Sequence, residues 1–269
     1  MTVATPPRAL AANRPAADRP AANRPAADRL SVTRRPDGAA PTTVHGPAGA
    51  IRWTSFAGRR QLRSATETIG WAALPPGCVT APRLQPRTEG ACLVLGGTGE
   101  YLTGDESLPL RPGSLVLAGV GSPRGLANTA SGDLTWLAVE TLSPPTRATL
   151  AGALPPYGGT AVSTLSVHDL FADGSVETAG TFTGPLRRIE IVDIPAGEIR
   201  TLGAPDAELA VYVISGGGTV TSAAAPEPVV VSGDTCVTTP VGAETSFAAI
   251  QSLRLAVITL RVTPEEAAR

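Results

Sequence analysis

Six polar side chains fall in two short stretches of a chain that is otherwise rich in Ala, Val, Leu, Gly and Pro. Arg83, Gln85, Arg87 and Glu89 lie within PRLQPRTEG, and Arg124 and Asn128 within LPLRPGSLVLAGVGSPRGLAN. In the second stretch an apolar strand enters through a Pro-Gly turn, and a glycine-rich turn then delivers Arg124 to a pocket-facing position four residues before Asn128. A guanidinium can hold a carboxylate, a phosphate or an enolate oxygen through paired hydrogen bonds. A neighbouring carboxylate such as Glu89 can give or take a proton. Cys92, the one thiol nearby, reads as a buried, inert side chain rather than a nucleophile.

Several chemistries are excluded by composition. Of 269 residues, 22 are Lys or Arg and 23 Asp or Glu, for a net charge of -1. All the cationic side chains are arginine, so no lysine can form a Schiff base or act as a general base. No clustered basic face points to nucleic acid. The three cysteines are odd in number and lack CxxC spacing, which fits a reducing compartment without a disulfide framework. No apolar run reaches membrane-spanning length and no signal-peptide core opens the chain, so a soluble, cytoplasmic protein with no membrane partner is expected.

The elements that must position the polar set follow in chain order. Residues 7–30 alternate Ala-Ala-Asn-Arg-Pro with Ala-Ala-Asp-Arg-Pro, and prolines at that spacing interrupt any helix. With few large apolar side chains to offset ordering, residues 1–49 are expected to be a disordered tail and linker. From Ile51 short runs rich in Val, Leu, Ile, Thr and aromatics are separated by Gly, Pro and Asp turns, which predicts an antiparallel barrel or sandwich. PPTRATLAGAL and SVHDLFAD break this pattern as two short helical segments. The strand pattern then returns as an internal repeat of about 120 residues, pairing Glu89–Gly97 with Glu208–Gly216 and Leu134–Val139 with Leu253–Ile258. The predicted layout is a tail over 1–49, a barrel over 50–142, a linker with short helices over 143–183, a second barrel over 184–263 and a short tail over 264–269.

At these residues the chain resembles the cupin superfamily, as a bicupin, over roughly residues 50 to 263. The family motifs are G-x5-H-x-H-x3/4-E-x6-G and G-x5-P-x-G-x2-H-x3-N, whose three histidines and glutamate converge on one divalent metal inside a jelly-roll barrel. The second motif is matched by Gly113, Gly119 at the proline position, Gly121, Arg124 at the histidine position and Asn128. In the first motif Arg83 and Gln85 take the histidine positions, and the glutamate position falls on Glu89 or Gly90 depending on register. In the second repeat the glutamate position falls on Leu209. The two histidines, His45 and His168, lie outside the motifs. The resemblance therefore implies an all-β fold of two tandem cupin barrels whose metal-binding motifs are both degenerate, with no metal and no cofactor.

What this implies for function is a small polar or anionic molecule held in the N-terminal barrel by Arg83, Gln85, Arg87, Arg124 and Asn128. Two alternatives stand beside it. One is an isomerase-, cyclase- or lyase-type tailoring step in which Arg124 and Glu89 are catalytic. The other is an accessory protein acting through its tail. Against the ligand reading, Arg83 or Arg87 could pair with Glu89 and close the empty pocket, or lie on the rim. The second barrel, lined by Leu209, Val211 and Val213, reads as filled or as an apolar pocket, with Glu208 and Glu244 exposed. A homodimer and a protein partner for the tail are the other partners left open.

Overall fold

The computed structural model describes residues 28–36, 41–42, 51–153 and 164–268. The repeats ahead of Asp28, and His45, lie outside the described residues. Strands β1 (Ser31–Arg34), β2 (Pro41–Thr42), β3 (Ile51–Gly58), β4 (Thr66–Leu74), β5 (Val79–Leu84), β6 (Thr88–Gly96), β7 (Gly99–Leu102), β8 (Ser107–Leu110), β9 (Ser114–Ala118), β10 (Pro123–Ala127) and β11 (Leu134–Leu142) come first. Helix α1 (Pro144–Leu150), β12 (Leu165–Asp169), α2 (Leu170–Asp173) and β13 (Ser175–Glu177) lead to β14 (Leu186–Ile194), β15 (Ile199–Gly203), β16 (Ala207–Ser222), β17 (Ala225–Ser232), β18 (Thr235–Thr239), β19 (Glu244–Arg261) and α3 (Pro264–Ala267).

The N-terminal barrel faces a sheet ordered β12-β9-β6-β11-β4-β3-β2 against a smaller one ordered β5-β10-β7-β8. In the C-terminal barrel one sheet supplies both layers, because β16 and β19 run unbroken for 16 and 18 residues. Bulges around Ser215 and Gly217 let β16 pass from one layer to the other.

Period-two alternation decides which side chains meet where. Along β6, Cys92 and Val94 pack inside the N-terminal barrel, while Ala91 and Leu93 join a core shared with Ala210, Tyr212 and Ile258 of the C-terminal barrel. This shared core holds the two barrels face to face, and each barrel has its own interior cluster besides.

Each barrel also borrows a strand from the segment that precedes the other. β12 pairs with β9 of the N-terminal barrel, and β1 pairs with β18 of the C-terminal barrel. Two expectations are corrected here. Residues 31–34, assigned to the tail, form a strand because Leu30 and Val32 find apolar partners in the C-terminal interior and Arg35 reaches Asp234 and the face of Trp71. SVHDLFAD is only half helical: His168 sits in β12, opposite Leu115, and the helix begins at Leu170 with Asp169 as its cap. PPTRATLAGAL does give α1, started by the Ser143 cap and two prolines.

Gly113 makes the turn into β9 with φ +93°, a conformation other residues rarely adopt, and a Cβ there would meet the Phe171 ring at 2.8 Å. The five residues that follow, SLVLA, are all buried. This buried strand fixes the sheet against which Arg124 is aimed.

Candidate functional site

Arg124 stands on β10 of the smaller sheet and crosses the barrel to Glu140 on β11 of the larger one. Its Nη1 donates to Glu140 Oε1 and Oε2 at 2.8 and 2.7 Å. Its Nη2 donates to the carbonyls of Thr88 at 2.5 Å and Ala118 at 3.1 Å. Four of the five guanidinium hydrogens are thereby used, and the fifth, on buried Nε, has no acceptor. The Arg124 side chain is 13 % exposed and that of Glu140 31 %.

The pair fits because β6 has a glycine opposite Glu140. Gly90 pairs across the sheet with Glu140, and a Cβ there would clash with Arg124 Nη1 and stand 2.9 Å from Glu140 Oε1. Gly90 therefore occupies the inward position of the first motif. Glu89, one residue earlier, points the other way. It is 2 % exposed, and its carboxylate takes the Thr183 N–H, the Thr183 hydroxyl and the Gly184 N–H, each at 2.8 Å. The register that puts Gly90 at the inward position is the one the backbone adopts, and Glu89 is removed from the cavity as an acid or base.

The ion pair divides the barrel interior into two connected spaces. The outer, about 440 Å³, is walled by Trp53, Trp136, Thr68, Arg83 and Gln85. The inner, about 110 Å³, is lined by Cys92, Tyr101, Val116 and Leu126. Thr80, Arg124, Trp136, Ala138 and Glu140 border both. Burial, then the Glu140 carboxylate, push the Cys92 thiol up to about 12, which removes it as a nucleophile. Burial likewise raises the Tyr101 phenol, whose hydroxyl donates to the Pro123 carbonyl.

The C-terminal barrel has the same pairing and no such space. Where Gly90 faces Glu140, Cys92 faces Ala138 and Val94 faces Trp136, the second barrel pairs Leu209 with Thr259, Val211 with Val257 and Val213 with Leu255. Leucine and valine fill what glycine, cysteine and alanine leave open. Glu244 is exposed as expected, but Glu208 is buried, taking the N–H groups of Arg63 and Ser64 at 2.9 and 2.8 Å. Larger clefts of about 680 and 750 Å³ open at the barrel junction, but their arginines are committed: Arg59 to Glu67, Arg63 to Asp28 and Arg147 to Glu266.

The other motif residues separate. Arg83 and Gln85 line the outer space, and Arg83 is paired by register with Arg124. Among the described residues Arg83 has no ion-pair partner, so the Arg83–Glu89 closure does not form. Arg87 is exposed and outside the lining. Asn128 is 2 % exposed and works on its own turn: its amide donates to the carbonyls of Leu74 and Gly132 and accepts from Ala130 N–H. Motif spacing gave no sign of Glu140, which lies outside both motifs. Period-two alternation inward from Trp136 and Ala138 was the available signal.

No protein-family model matches the chain, and no curated protein matches it by sequence. Solved structures do match. Protein Ylba from E. coli superposes with a TM-score of 0.63 at 11% identity, over 87% of this chain and 91% of that one. The bacterial pirin YhhW from Escherichia coli, in complex with nickel(II), gives 0.62 at 13% identity over 87% and 100%. Oxalate decarboxylase OxdC from Bacillus subtilis, as a deletion mutant, gives 0.60 at 12% identity over 85% and 76%. The chain has the cupin fold.

The residues that the motif spacing sets at ligand positions, Arg83, Gln85, Gly90 and Arg124, supply two cations, an amide and no side chain. This donor set does not fit a divalent cation, which needs imidazole nitrogens, carboxylates or thiolates. Among the described residues no three His, Cys, Asp or Glu side chains come together as a ligand group. No described helix is long and apolar enough to cross a membrane.

Proposed function

We propose that the protein is a metal-independent bicupin that binds a small polar or anionic organic molecule in its N-terminal barrel, with the C-terminal barrel as its structural counterpart. One observation carries this reading: an open space of about 440 Å³ persists beside Ala138 and Trp136, where the other barrel has Val257 and Leu255 in a packed core. That volume suits a small organic ligand. Apolar walls and a few convergent polar groups are the usual makeup of such a site.

Arg124 acts here as the fixed floor of the site. Its charge is balanced by Glu140, its Nη hydrogens are engaged, and Nε–H is the donor left over. A tailoring reaction in this barrel runs through Glu140 rather than Glu89, since Glu140 is the carboxylate that borders both spaces beside Arg124. Binding is the primary reading, because both Glu140 carboxylate oxygens already accept hydrogen bonds from Arg124 Nη1.

A thermal-shift screen of small organic acids and neutral polar compounds tests the reading, run on wild type and on Ala138→Leu, which fills the space as the second barrel is filled. The expected result is at least one ligand that raises the wild-type Tm, has no effect on the variant and is unaffected by a chelator. Metal analysis of the purified protein showing a stoichiometric divalent ion would overturn metal independence.

A further inference from the structure

The walls of the outer space say more about its ligand than its volume does. β3, β4 and β11 are neighbours, and their register sets Trp53, Ala72 and Trp136 in one row, Trp53 and Trp136 each opposite Ala72. The two indoles therefore stand two strand spacings apart, roughly 9.5 Å at the backbone. The Trp53 indole lies over Gly70, where a Cβ would stand 2.5 Å from its Cζ2, and Thr68 and Ala138 complete the lining beside the two tryptophans. Two indoles in one lining offer an aromatic surface to a flat apolar body.

Charge at the mouth is equally specific. Arg124 is neutralised by Glu140, and Glu67 by Arg59. Arg83 is left as the one cation of the lining without a carboxylate, on the smaller sheet and across the opening from the indoles. A single uncommitted guanidinium suits one carboxylate. It offers too little for a polyphosphate, which needs several donors or a backbone nest. Size narrows the class again, since about 150 Å³ holds one benzene and a space near three times that is oversized for a two-carbon acid.

We infer that the ligand is a monoanionic aromatic carboxylic acid of one or two rings, its ring against Trp53 and Trp136 and its carboxylate on Arg83. This rests on the reading of the N-terminal barrel as a small-molecule site and specifies it. Arg83 is then a specificity-determining residue, and Gln85 beside it offers an amide to the same carboxylate.

The test is calorimetric titration of the full chain with 2-naphthoate, its neutral isostere 2-naphthamide, and oxalate. Wild type is expected to bind naphthoate, to bind the amide about tenfold more weakly or worse, and to ignore oxalate. Arg83→Gln, a change at an exposed position, brings naphthoate down to the level of the amide and leaves the amide unchanged. Trp53→Leu weakens both, and Arg87→Gln changes neither. Equal binding of acid and amide, or an Arg83→Gln variant that binds naphthoate like wild type, overturns the anionic class while leaving the cavity in use. Oxalate binding without naphthoate binding overturns the aromatic class in the same way. If no compound of this set or of the thermal-shift screen binds wild type, the small-molecule reading itself falls and takes this inference with it.

Discussion

Glu89 and Glu208 hold the two barrels together by the same contact made in opposite directions. Glu89 of β6 accepts the N–H groups of Thr183 and Gly184, just ahead of β14 in the C-terminal barrel. Glu208 of β16 accepts those of Arg63 and Ser64, just ahead of β4 in the N-terminal barrel. The exchanged strands β1 and β12 repeat this reciprocity. At this junction each half caps backbone donors of the other.

Glu89→Gln and Glu208→Gln are expected to destabilise the fold by about 1–3 kcal/mol each, because an amide presents an NH2 to an N–H that had a carboxylate oxygen. Chemical denaturation measures this. Glu89→Gln should leave ligand affinity unchanged, which distinguishes a junction residue from a catalytic one.

Burial raises the pKa of Glu208 above its usual 4.5, against hydrogen bonds from Ser64 and Arg63 that pull it down, and the Glu266 charge adds to the rise. Between that usual value and the raised one the folded protein binds more protons than the unfolded chain, so stability falls as pH rises through the window. The Tm difference between wild type and Glu208→Gln, which cannot titrate, should shrink as pH is raised from 4.5. A difference that grows with pH contradicts the assignment.

Gly90→Ala should cost about 1–3 kcal/mol by forcing a methyl group into the Arg124–Glu140 pair. In an Arg124→Ala background the same change should cost far less, since the clash is with the guanidinium. A double-mutant cycle reads this coupling directly.

Cys92 and Cys236, both with thiols pushed up to about 12 by burial, should resist iodoacetamide at pH 8 in the folded protein and react fully in denaturant, as mass spectrometry of the labelled peptides would show.

Removing residues 1–36 rather than 1–27 deletes β1 and the Arg35–Asp234 bond. The longer truncation should lower Tm by several degrees relative to the shorter one, because it exposes the edge of β18 and uncovers apolar surface that Leu30 and Val32 cover.

Much of the fold was legible because turn glycines and apolar alternation are local signals. The turns at Gly113 and Gly121 and the inward runs of β6 and β11 could be read directly. The repeat placed Leu209, Val211 and Val213 at the motif positions of the second barrel, and packing decided between a filled interior and an apolar pocket. The site was harder. Arg124 was reached through its turn, but its partner Glu140 lies on a strand whose pairing with β6 no local pattern reveals. Motif spacing left Glu89 and Gly90 both open for the inward position, because a one-residue change of register reverses every side chain of a strand. β1 was missed because four residues, SVTR, carry no strand signature until β18 offers them an edge. Asn128 matched a motif position, yet its amide completes a turn, a use that residue type alone does not separate from ligand binding.

The central claim is that the N-terminal barrel alone receives a ligand, and the three tryptophans are placed to report on it: Trp53 and Trp136 wall the cavity, while Trp71 lies in the core between the barrels. The indole N–H signals in a nitrogen-15 correlation spectrum, followed during titration with a hit from the thermal-shift screen, give the most direct measurement. The account predicts that the Trp53 and Trp136 signals move together to saturation while that of Trp71 stays still. Movement of Trp71 alone, or a saturating ligand that moves neither Trp53 nor Trp136, would contradict it.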